Sequence, residues 1–137
     1  MLIFILASCG ASSIRNTTNR PLFEILTQQN DGGASIRFYE ILTEPDEIKM
    51  LQNDVRLKNK IDAFAIQNSN FIILNMGEKP TTGYSIGIEN VQETDMNIII
   101  TLKETIPELN ANTPVSQTLT NPFCVVKVNS KKQISIK

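Results

Sequence analysis

A chain of 137 residues is long enough for one domain with a buried core and too short for two comfortable ones. Apolar residues at 41% and charged residues at 20% exclude global disorder. A formal charge of -1 with no histidine removes both the electrostatic pull toward nucleic acid and the commonest general base and metal ligand. No nucleic-acid partner, no metal and no cofactor are therefore expected, and the longest cationic cluster, Lys131-Lys132, reads as a solvated strand end.

The chain opens MLIFILASCG. Leu2 to Leu6 are wholly apolar, far too short a run for a membrane-spanning helix. Leu6-Ala7-Ser8-Cys9 resembles the bacterial lipoprotein signal, in which small residues expose the bond to a peptidase and the cysteine thiol accepts a diacylglycerol group. The run lacks the Lys/Arg region of a secretory signal, and its other reading is a buried strand with an incidental Cys9. The lipoprotein reading makes residues 1–8 a leader that is removed and Cys9 the lipid anchor. It places the protein on a bacterial envelope membrane, inner or outer. Each buried acyl methylene adds about 0.8 kcal/mol, so two or three chains hold stably. Residues 9–20 then form a flexible tether of about 18 Å root-mean-square span, and 21–137 a single domain.

Beyond residue 21 the hydrophobic period is mostly two. Leu22–Thr27 and Ile36–Thr43 read as strands joined by the turn Asn30-Asp31-Gly32-Gly33. Thr43 followed by Glu44, Pro45, Asp46 and Glu47 reads as a helix start, with Ile48, Leu51 and Val55 as its apolar stripe. Residues 56–69 look irregular apart from Ile61, Phe64 and Ile66. Phe71–Leu74 is apolar on both faces, as a central strand requires. Tyr84, Ile86 and Ile88, then Ile98, Ile100 and Leu102, describe two strands of a hairpin across the polar turn Gln92–Asp95. Pro107–Pro114 is a loop, and Val115–Val128 a strand interrupted at Asn121-Pro122. Cys124 shares an apolar face with Val126 and Val128 and reads as a core residue. Ile134 and Ile136 suggest a last edge strand guarded by Lys131, Lys132 and Lys137. The fold class expected is mainly β (α+β): a single compact antiparallel sheet domain, sandwich- or barrel-like, with one packed helix.

The run Gly77-Glu78-Lys79-Pro80-Thr81-Thr82-Gly83-Tyr84-Ser85-Ile86 resembles the signature of the PrcB C-terminal domain family. Later family elements follow in order: Glu104 and Pro107, then Gln117, Leu119, Thr120, Pro122 and Phe123 ahead of Val125-Val126-Lys127. The resemblance covers about residues 35–129. Thr82 stands where the family usually has a second glycine, Phe123 replaces a frequent tyrosine, and Glu108-Leu109-Asn110 replaces a Pro-Gly step. The resemblance implies an accessory lipoprotein of a cell-surface protease complex, not the protease itself.

Two readings of the 79–84 run stand side by side. As a turn, it has Pro80 to set φ, Gly83 to permit a positive φ, and Tyr84 to begin the next strand toward the core. As a contact surface, its rigid positions, hydroxyls and aromatic ring suit protein recognition. The candidate contact residues are Lys79, Pro80, Thr81, Thr82, Gly83 and Tyr84, with Gln117, Thr120, Pro122 and Phe123 from the later bend. The function expected is contact with a protein partner, a surface protease or another envelope complex, by an accessory or stabilising subunit. Lys79–Tyr84 also resembles a loop of chagasin-type cysteine protease inhibitors, and reversible inhibition through it is the alternative. The inhibitor family's asparagine and its Arg-Pro-Trp element are missing from this chain. Catalysis is not expected. Ser85 with Lys79 lacks a nucleophile motif, and Glu89 with Glu93 reads as a solvated hairpin pair.

Overall fold

Alternation of period two carries through to seven strands among the described residues. A computed structural model describes residues 20–108 and 114–137. The leader, Cys9, nearly all of the tether and positions 109–113 lie outside them.

The strands are β1 (Phe23–Gln29), β2 (Phe38–Leu42), β3 (Asn70–Asn75), β4 (Ser85–Glu93), β5 (Asn97–Thr105), β6 (Phe123–Val128) and β7 (Gln133–Ile136). They form a four-stranded sheet in the order β1-β6-β3-β2 and a three-stranded sheet in the order β4-β5-β7. The first sheet is antiparallel throughout, whereas β7 lies parallel to β5. The result is an open two-sheet α+β domain rather than a closed barrel.

β3 and β6 occupy the middle of the larger sheet and are apolar on both faces because both faces are covered. On one side Ile72, Leu74, Cys124, Val126 and Val128 meet Ile86, Ile98, Ile100 and Ile134 of the smaller sheet. On the other, Phe71, Phe123, Val125, Leu26 and Leu42 meet Ile48, Leu57, Ile61, Ala65 and Ile66. That second cluster rests under α1 (Pro45–Met50) and α2 (Ala63–Asn68), which cover the sheet as a third layer.

Several expectations need correction. β1 and β2 do not pair; they sit at opposite edges because β6 and β3 fill the space between them. Thr43 does not cap α1. Glu44 is the cap residue, and its N–H donates to Glu47 Oε1 at 3.3 Å. A 3₁₀ turn at Leu51–Asn53 ends the helical stripe, so Val55 is 85% exposed instead of buried. The stretch read as irregular contains α2, started by Asp62, whose Oδ1 accepts the Ala65 N–H at 2.8 Å. Residues 115–119 form no strand, and β6 begins only at Phe123. Lys131 is not merely solvated. Its Nζ donates to Thr43 O at 2.7 Å, Ser69 O at 2.9 Å and Asn70 Oδ1 at 3.2 Å. Lys132 bonds Thr94 O at 2.8 Å and pairs with Glu93.

Candidate functional site

The 77–84 run leaves β3 through Gly77, whose φ is +86°, and is then tied on both sides. Glu78 N–H donates to Ser35 O at 3.0 Å. Lys79 exchanges two backbone hydrogen bonds with Thr120, at 2.7 and 2.9 Å. Thr120 is buried, and its hydroxyl donates to Thr81 O at 2.9 Å. Thr82 N–H donates to Ser116 O at 3.1 Å, while Ser116 N–H returns a bond to Thr82 Oγ1 at 2.8 Å. Two irregular passes of chain, 79–82 and 116–120, thus brace one another beyond the end of the larger sheet. Backbone groups that would otherwise need water are satisfied within the pair.

Gly83 has φ +99°, a conformation that disfavours any Cβ, and a Cβ there would lie 2.7 Å from Pro107 Cβ. Tyr84 is half-buried against the inter-sheet core, and Lys79 Nζ lies 5.6 Å from its ring centroid. Gly83 therefore makes the turn its positive φ allows, and the turn is exposed.

The candidate residues divide by depth. Pro80, Gly83 and Gln117 are exposed, and Lys79, Thr82 and Tyr84 are half-buried. Thr81, Thr120, Pro122 and Phe123 are buried. Phe123 packs in the helix-side core with the Arg56 guanidinium 4.8 Å above its ring centroid. Pro122 O accepts the Met76 N–H at 3.0 Å. These four lie beneath the loop, and the other six are wholly or partly exposed.

Three exposed apolar residues outside the candidate contact set flank the loop residues in sequence. Ile36 (73% exposed) follows Ser35, Leu119 (57%) precedes Thr120, and Ile106 (68%) precedes Pro107. All three therefore border the braced loop. Alternation placed Ile36 in a strand, and no sequence signal separates an apolar strand residue from an apolar rim residue. On the β1 side, Asp31 Oδ1 accepts the Asn121 N–H at 2.9 Å and Gly33 N–H donates to Asn121 O at 2.8 Å. Backbone N–H groups donating to it, that of Asn121 first and that of Gly32 second, hold the Asp31 carboxyl below its usual range. Glu104 joins the two sheets by its ion pair with Arg37 and by accepting the Tyr39 hydroxyl at 3.2 Å.

Cys124 is fully buried, and desolvation pushes its thiol up to about 12. Such a thiol is inert as a nucleophile. Among the described residues no group of three or more His, Cys, Asp or Glu side chains is placed to hold a metal ion, and no helix is long and apolar enough to cross a membrane.

The arrangement defines a helix-backed, two-sheet β domain with one braced, partly apolar loop end. The family model described as PrcB C-terminal matches residues 70–129, from β3 to the residue after β6. That segment carries the family's sequence pattern, including both passes of the braced loop, while the upstream part of the 35–129 resemblance lies outside the match. No curated protein and no solved structure matches the chain.

Proposed function

We propose that the protein is a non-enzymatic accessory subunit of an envelope protease complex, anchored through lipidated Cys9 and acting by protein–protein contact. The observation that carries this reading is the loop end itself. Internal hydrogen bonds hold 79–82 against 116–120 while Pro80, Gly83, Ile36, Ile106 and Leu119 stay in water. A surface ordered before binding loses little entropy on association, and exposed apolar side chains supply area that a partner can bury. The matched family supports the protease connection. The lipoprotein-like Leu6–Cys9 run supports the anchor.

The test is photo-crosslinking in native cell envelopes, with the probe at Thr82 and a control probe at Lys49 on α1. A discrete protein captured from Thr82 alone is the expected result, and its identity tests the protease connection. Capture from neither position, with the protein folded and lipidated, would reduce the loop to a connection between strands. Cys9→Ser should move the protein out of the membrane fraction. Retention there would overturn the anchor without touching the loop.

A further inference from the structure

The pairings give the two sheets common ends. At one end, β1 begins at Phe23 opposite Val128, and β3 begins at Asn70 opposite the same residue. The β4–β5 turn lies at that end too. Lys132 Nζ bonds Thr94 O at 2.8 Å, while Lys132 O accepts the Asn70 amide at 3.2 Å. At the other end stand Gln29 and Asn75, both opposite Phe123, with the braced loop beyond them.

Arg20 belongs to the first end. Its guanidinium lies 3.9 Å from the Phe64 ring centroid, and the two side chains border one hollow with Leu22, Glu93 and Asn129. Phe64 is exposed there, and so is Met96 on the turn that follows Glu93. The chain therefore enters the domain at the end away from the loop, beside two exposed apolar side chains.

On the lipid-anchor reading, residues 10–19 join Cys9 in the bilayer to Arg20. Their relaxed span is about 18 Å, and their full reach at most about 40 Å. β4 and β5 are nine residues each, which separates the two ends of the domain by about 30 Å. Meeting the bilayer with the loop end would stretch the tether well past its relaxed span. The Arg20 end meets it with the tether slack. The anchor thus keeps Phe64 and Met96 near the interface at high effective concentration, so two side chains too small to bind alone can dock.

We propose that the Arg20 end is a bilayer-docking face, with Phe64 and Met96 entering the interfacial region. The braced loop is then presented about 30 Å above the membrane. This rests on the anchor of the proposed function and adds the geometry of the partner, whose contact point stands off the membrane by that height.

The experiment uses the full lipidated chain in phosphatidylcholine vesicles containing a nitroxide-labelled lipid. An environment-sensitive fluorophore is placed on Met96→Cys or, separately, on Leu119→Cys. Both side chains are exposed, and the fully buried Cys124 stays unlabelled. Strong quenching at 96 and none at 119 is the expected result. Adding Phe64→Ser and Met96→Ser to the Leu119→Cys chain should free the domain to tumble and bring quenching to 119. Position 119 staying unquenched in that chain would overturn the role of the two side chains. Equal quenching at 96 and 119 without those substitutions would mean that the domain tumbles on its tether, and would overturn the docking face. Quenching at 119 alone, or at neither position, would overturn it as well. A chain that carries no lipid and stays off the vesicles would remove the anchor and this proposal together, while leaving the contact role of the loop to the crosslinking test.

Discussion

Replacing Gly83 by alanine tests whether the loop conformation is imposed by packing or merely tolerated. Two costs are separable. Gly83 has φ +99°, and holding an alanine in so sparsely populated a region costs about 1–3 kcal/mol. Its Cβ would also stand 2.7 Å from Pro107 Cβ and 3.2 Å from Pro107 Cγ, well inside ordinary contact. Overpacking of that kind costs about 1–3 kcal/mol. The sum is about 2–6 kcal/mol, or roughly 10 °C or more in Tm for a domain of this size. Urea unfolding of Gly83→Ala against wild type measures the total, with the slope m expected to stay constant. Repeating the comparison in a Pro107→Gly background removes the steric share, so the alanine should then cost only the φ share, about 1–3 kcal/mol. A change below about 0.5 kcal/mol in the original background would mean that the loop adapts freely. It would refute the claim that this surface is ordered before a partner arrives.

Three further outcomes follow from the same structure. Cys124 ionises near 9.0 when unfolded but near 12 in the fold, so its contribution is fully present below pH 9 and is lost as pH rises toward 12. Alkaline denaturation should accordingly be shallower in Cys124→Ala, and in a Cys9→Ser chain a thiol reagent should label Cys124 no faster than the protein unfolds. Lys131→Met should cost about 1–2 kcal/mol in urea unfolding, because two backbone carbonyls and the Asn70 amide oxygen lose a charged donor at a partly exposed site. An unchanged midpoint would return Lys131 to the role of a solvated guard. Finally, the full chain with Cys9→Ser should leave papain-like protease activity untouched at micromolar concentration. Inhibition there would favour the chagasin-type alternative over the accessory role.

Local patterns that report directly on neighbours in space were legible. Phe71–Leu74 is apolar on both faces, and a strand covered on both sides was its consequence. The β4–β5 hairpin was legible because its turn and its alternation are contiguous in sequence. α2 was not, since its cap Asp62 and its buried pair Ala65-Ile66 make too short a pattern to stand out from a polar stretch. Val55 was misplaced because the stripe spacing continued past the point where Leu51–Asn53 changed the helix type.

For the loop end, the amino-acid sequence by itself determined the turn: Pro80 and Gly83 restrict the backbone through their own covalent chemistry. It also showed, through motif order, that the 79–84 run and the 117–123 run both carry the pattern of the resembled family. Which of those residues face solvent was decided only by the tertiary structure. Thr120 is buried, bonded to Lys79 and to Thr81 O, while Leu119 beside it stands in water. Exposure depends on what the rest of the chain places nearby, and that is fixed by long-range pairing rather than by a residue's own neighbours in sequence.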